Sequence, residues 1–330
     1  MAAYKEVKGI NIQKLSADPP APIEGQVWYN TTSGALKGFK VSAGAWATGG
    51  NLNNARISLA GAGTQTAALA FGGDDNTLPK YAFTESYNGS SWTEVNDLNT
   101  ARDKLGGTGT QTAALAIGGE SGYPSPGAGF TETWNGTSWT EVNDLNTTPI
   151  SNFGSAGATN TAALAFGGDP ITGATESWNG TNWTEVNDLN TGRDVLAGGG
   201  SNTSALAFGG ETPSTTGATE SWNGTNWTEV NDLNTARRRL AGRGTDNTSA
   251  IAIGGKISLG PDPETGATET WNGTNWTEVG DLNIVRGYLA GAGTNTSALA
   301  FGGSSPLSPT AKNATEEFNA GPATVSFGDA

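Results

Sequence analysis

Carboxylates are the reactive side chains this sequence offers most often, with 31 Asp and Glu against 17 Lys and Arg, no histidine and no cysteine. Two carboxylates flanking a glycosidic bond can hydrolyse it, one as the acid and the other as base or nucleophile. That chemistry needs two particular groups tuned apart. Here the acids sit in a phrase, Thr-Glu-Val-Asn-Asp-Leu, that returns unchanged at 93–98, 140–145, 184–189 and 228–233, and uniform repetition argues for scaffold. Without histidine, the commonest metal ligand and the one side chain that titrates near neutrality unperturbed are both missing. Without cysteine there is no disulfide, thiolate metal site or thiol nucleophile. The expectation is a protein with no catalytic residue, no cofactor and no metal.

The eleven tryptophans invite a sugar-binding reading, since sugars stack on aromatic faces. Their spacing points to packing instead. Trp46, Trp92, Trp183, Trp227 and Trp276 each stand ten residues before an arginine, namely Arg56, Arg102, Arg193, Arg237 and Arg286; Trp139 meets Pro149 at that offset. Equal spacing in every unit is what a core between like units requires, so Trp92, Trp139, Trp183, Trp227 and Trp276 are assigned to the structural repeat. The arginines either ring one face and bind an anion or, the preferred reading, each pair with a carboxylate such as Glu94, Glu185 or Glu229 and brace neighbouring units.

A double glycine closes an apolar run at Gly72, Gly118, Gly167, Gly209, Gly254 and Gly302, with separations of 46, 49, 42, 45 and 48 residues. Periods of this length mean repeated supersecondary units. In a typical unit four strands can be drawn over 195–200, 205–208, 218–222 and 227–230. The turn between the last two carries Asn223-Gly224, a pair suited to tight hairpins because both residues tolerate positive φ. The first strand of each unit is rich in Ala and Gly, as a crowded axis demands.

The ordered marks Gly209-Gly210, Trp222, Trp227 and Arg237 resemble the kelch repeat, and the resemblance covers roughly residues 26 to 327. It implies an all-β propeller of four-stranded blades with the first strand of each nearest the axis. Copper oxidases share that fold family, but their centre uses His, Tyr and Cys, and two of these are absent. Residues 26–30 and 35–40 read as the second and third strands of an N-terminal blade, 45–48 as its fourth, and 324–327 as its missing inner strand. Seven blades closed by both chain ends are thus favoured, with a six-bladed ring and outlying N-terminal hairpins as the alternative. Residues 1–24, with Pro19, Pro20 and Pro22, read as an extended arm leading into a propeller of 25–330.

The segments 25–39 and 60–73 are similar to tail-fibre and virion proteins of marine cyanophages and related phages. That similarity implies a non-enzymatic virion structural, decoration or host-attachment protein on the particle surface. The arm would dock to other virion proteins, the loops would face a host glycan or protein, and several copies would assemble on the particle. A lectin or glycan-active enzyme is the alternative. A net charge of −14 with no basic cluster argues against nucleic acid. No apolar run reaches the ~18 residues a membrane helix needs, and the start lacks a secretory apolar region.

Length varies where the second strand joins the third, and these connections share one face of a ring. Lys80, Tyr81, Tyr123, Lys256 and Asp262 are their distinctive side chains and the candidate recognition residues.

Overall fold

The computed structural model describes residues 12–20, 26–41, 44–77, 79–122, 129–147, 151–257, 264–305, 308–320 and 322–327. Two compact units are present, Ala45–Asn319 and the joined ends Met1–Gly44 with Ala320–Ala330. Among the described residues there is no helix, and the strands form seven sheets of four plus one small two-stranded ribbon.

Six of the four-stranded sheets belong to the larger unit and are called blades 1 to 6 in chain order of their inner strands. Blade 4 shows the pattern: Ala197–Ser201, Ser204–Phe208, Thr219–Trp222 and Trp227–Val230 pair antiparallel in that order, each within two residues of its expected bounds. The inner strands are small for a steric reason. A Cβ on Gly242 in blade 5 would stand 2.6 Å from Phe208 Cζ and 2.8 Å from the Gly198 carbonyl oxygen of blade 4. The double glycine is equally constrained: Gly209 and Gly210 have φ of 67° and 102°, a region that other L residues seldom adopt.

The core lies between the blades. Leu206 and Phe208 of blade 4 bury against Ala250, Ala252, Trp271 and Trp276 of blade 5, with the rings of Phe208 and Trp276 4.9 Å apart. Each outer-strand indole then donates to a threonine hydroxyl in the preceding blade. The bonds are Trp139 to Thr84 (3.0 Å), Trp183 to Thr131 (3.1 Å), Trp227 to Thr175 (3.2 Å), Trp276 to Thr219 (3.1 Å), Trp46 to Thr268 (3.1 Å) and Trp92 to Thr315 (3.0 Å). The last joins blade 1 to blade 6, so the six bonds return to their starting point and the larger unit is a closed ring.

A ring of seven blades was favoured from the sequence; seven four-stranded sheets are present, and six of them make the hydrogen-bonded cycle. The seventh, in the smaller unit, is ordered Gln13–Leu15, Val27–Asn30, Ala35–Val41 and Pro322–Phe327. Two strand placements correct the sequence reading. Ala45–Thr48 is not the fourth strand of the N-terminal sheet; it pairs with Thr315–Asn319, with Trp46 opposite Phe318, and completes blade 6. The last repeat has no outer tryptophan of its own, and the chain's beginning supplies one at the usual ten-residue distance from an arginine. Residues 324–327 do not lie beside the second strand either, because Gln13–Leu15 occupies that edge; they pair with the third. Nearby Asp18, from the expected arm, accepts bonds from Trp28 Nε1 (3.0 Å) and Asn30 Nδ2 (2.7 Å) and pairs with Lys37 at 2.8 Å. The Lys37 bond and the two hydrogen bonds hold its carboxyl down at about 2.

Candidate functional site at the channel mouth

The repeat arginines anchor the segments that lead into each inner strand. Arg56, Arg102, Arg193, Arg237 and Arg286 are fully buried, and each reaches a third-strand glutamate of the blade it opens: Glu85 (2.9 Å), Glu132 (2.5 Å), Glu220 (3.1 Å), Glu269 (2.8 Å) and Glu316 (3.0 Å). The expected partners Glu94, Glu185 and Glu229 are therefore wrong. They belong to outer strands and are exposed, whereas Glu85, directly across the ladder from Glu94, is sealed inside. Burial pushes each guanidinium pKa below its ordinary value, and the glutamate opposes the shift. Each glutamate also binds the preceding connection; Glu269 accepts from Asn234 N and Nδ2, both at 2.7 Å.

Two residues beyond each arginine the chain enters the left-handed region without glycine. Ser58, Lys104, Val195, Arg239 and Tyr288 have φ between 48° and 58°, and Asn152 fills the same place in blade 3 at 56°. Their backbones form a closed circuit of six N–H to carbonyl bonds: Lys104 to Ser58 (2.8 Å), Asn152 to Lys104 (3.1 Å), Val195 to Asn152 (2.7 Å), Arg239 to Val195 (2.9 Å), Tyr288 to Arg239 (3.0 Å) and Ser58 to Tyr288 (2.9 Å). Six side chains of different type thus rim one mouth of the axial channel. A non-glycine residue in this region costs roughly 1–2 kcal/mol, so glycine would be the less strained residue at all six places.

The mouth is chemically mixed. A cavity of about 340 Å³ brings Asp74, Asn76 and Lys80 from the first variable loop together with Lys104, Arg239 and Tyr288. The Arg239 guanidinium lies 4.3 Å from the centre of the Tyr288 ring, and Lys256 Nζ stands 5.3 Å from it. Of the expected recognition residues, Lys80 therefore reaches the mouth, tied to Asp74 (2.5 Å) and Asp103 (2.9 Å). Lys256 does so too, paired with Glu264 at 3.2 Å. Tyr81 instead stacks on Phe83 at 4.8 Å. Tyr123 and Asp262 lie outside the described residues. Trp92, Trp139, Trp183, Trp227 and Trp276 are all about 95% buried, so a sugar finds no indole face among them.

Two acids beside the circuit have unusual carboxyls. Burial raises Asp103 to about 6 against the pull of Lys80, and burial with the nearby charges of Glu211 and Asp169 raises Asp194 to about 6 against Arg239. The folded protein thus holds these protons at pH values where the unfolded chain has released them, so stability should rise as pH falls from about 6 toward about 4. Asp194→Asn is expected to flatten that rise and to lift the melting temperature at pH 7.5, as read from thermal melts across pH. An unchanged profile would show that Asp194 ionises normally.

No family model matches the sequence, and no curated protein matches it. Solved structures match in number by fold. One, titled "Structure of YjhT", aligns with a TM-score of 0.65 over 81% of this chain and 96% of that one, at 13% identity. The chain is a β-propeller. At that identity the likeness speaks for fold alone, and the site of this propeller must be read from its own residues. The rim was missed from the sequence, although a signal existed. Twelve residues after each outer tryptophan, thirteen after Trp139, lies the one position of the motif that changes side chain at every repeat.

Proposed function

We propose that this propeller is a non-catalytic recognition module, kelch-like in its repeat, whose channel mouth and variable loops engage a host-surface glycan or protein from the outside of a phage particle. The observation that carries it is the rim: a scaffold otherwise repeated blade by blade holds six different side chains in a costly backbone conformation around one opening. The phage setting is supported by the sequence resemblance alone, as are docking through the N-terminal arm and assembly with other virion proteins. In such interfaces a few aromatic and arginine side chains carry most of the affinity. The purified chain on a glycan array and on host cells should bind, and Tyr288→Ala and Arg239→Ala should weaken that binding at least tenfold. Thr203→Ala, at the opposite end of blade 4, should leave it intact. Binding indifferent to both rim variants would refute the assignment.

A glycan-active enzyme is the second reading, favoured by Asp103, whose raised carboxyl lines the mouth cavity as a general acid's would, with Asp194 raised as well. Turnover of any arrayed glycan, lost in Asp103→Asn or Asp194→Asn, would establish it over the first.

A further inference from the structure

The opposite end of the channel holds a different exception. At the third position of the inner strands five blades carry Ala62, Thr108, Ala156, Gly199 and Ala292, and the remaining one carries Arg243. Its side chain reaches past the adjacent blade to the next one round the ring. Nε donates to the Gly291 carbonyl of blade 6 at 2.7 Å, Nη2 to the Gly61 carbonyl of blade 1 at 2.5 Å and Nη1 to the neighbouring Gly242 carbonyl at 3.2 Å. A guanidinium has five N–H donors, so two remain. Unlike the five buried repeat arginines, Arg243 has no carboxylate within ion-pair distance among the described residues. Burial alone brings its pKa down to about 10, with no opposing acid.

Beside it opens a cavity of about 390 Å³ walled by inner-strand ends, with Thr64, Thr110, Thr245 and Thr294 among its lining, a size in the range of small-molecule sites. Arg243 itself lines this hollow with no acid beside it, and a cation drawn partly out of water is ordinarily paired.

We propose that this axial hollow is an anion site that takes a small organic carboxylate, held by the free N–H groups of Arg243. The planar guanidinium matches a carboxylate with paired hydrogen bonds, and the threonines around it suit a ligand that carries hydroxyls of its own. The site lies at the far end of the inner strands from the rim of Tyr288 and does not depend on what the rim binds.

The test uses the whole chain and sodium glycolate as the probe, with sodium chloride at equal ionic strength as the control. Nitrogen-15 spectra of the arginine Nε–H groups should show one resonance, identified by its absence in Arg243→Lys, that shifts saturably with glycolate and not with chloride. Tyr288→Ala should leave the apparent Kd unchanged. Calorimetry on Arg243→Lys, which keeps the charge but loses the fork, should show at least tenfold weaker binding with the thermal midpoint reported alongside. The proposal fails if glycolate produces no saturable shift or chloride produces the same shift. It fails equally if Arg243→Lys binds as tightly as the parent.

Discussion

Glu269→Gln is expected to destabilise the protein by about 3–5 kcal/mol, because it strands the guanidinium of Arg237 in a fully buried place without its charge partner. The pair is sealed on both sides, Arg237 at 0% and Glu269 at 1% exposure, and water cannot take over the lost contact. Blade 3 offers an internal control. Its equivalent acid, Glu176, accepts from Asn146 N (2.9 Å) and Nδ2 (2.7 Å) and from Thr147 N (2.8 Å), and meets no arginine among the described residues. Glu176→Gln keeps an oxygen for the two Asn146 donors, loses only the one that Thr147 N uses, and should cost only about 1 kcal/mol. Urea unfolding of the two variants side by side checks the difference. Equal losses would mean that the arginines contribute shape and no charge pairing.

Trp46→Ala should cost about 3–5 kcal/mol and, unlike the same change at Trp227, should loosen the ring at one known seam. Trp46 packs its ring 5.2 Å from Phe318 and donates to Thr268 in blade 5. Its strand is held to Thr315–Asn319 by main-chain pairing, yet no hairpin tethers it there. Limited proteolysis of Trp46→Ala should therefore cut first around residues 49–55, whereas Trp227→Ala should show no such preference. Cutting elsewhere in both would place the weak point in another blade.

Much of this architecture was legible in the chain because repetition reports packing. The ten-residue step from tryptophan to arginine marked the outer strand and the pinned connection after it, and the double glycine marked a backbone that only glycine tolerates. The arginine's partner was misread because Glu94 and Glu85 lie side by side on adjacent strands. Which of two paired acids is sealed depends on how far its strand stands from the axis, and that is a property of the assembled ring. Trp46 was misassigned for a related cause: its nearest strands in sequence are those of the N-terminal sheet, and only the missing tryptophan of the last repeat hints at its true place. The rim and Arg243 escaped because a search for regularity passes over the positions where regularity stops.

The strand that completes blade 6 comes from the chain's beginning, opposite a strand some 270 residues further on. A ribosome would thus deliver five complete blades while the sixth still waited for its edge, and Ala45–Thr48 would have to stay unclaimed until Thr315–Asn319 had emerged. Contacts of such long sequence separation form late, and an unpaired edge held open in the meantime can be filled by another molecule's strand. At high concentration, nascent chains of this protein should exchange the strand Ala45–Thr48 with one another, giving linked rings whose every blade is nonetheless complete.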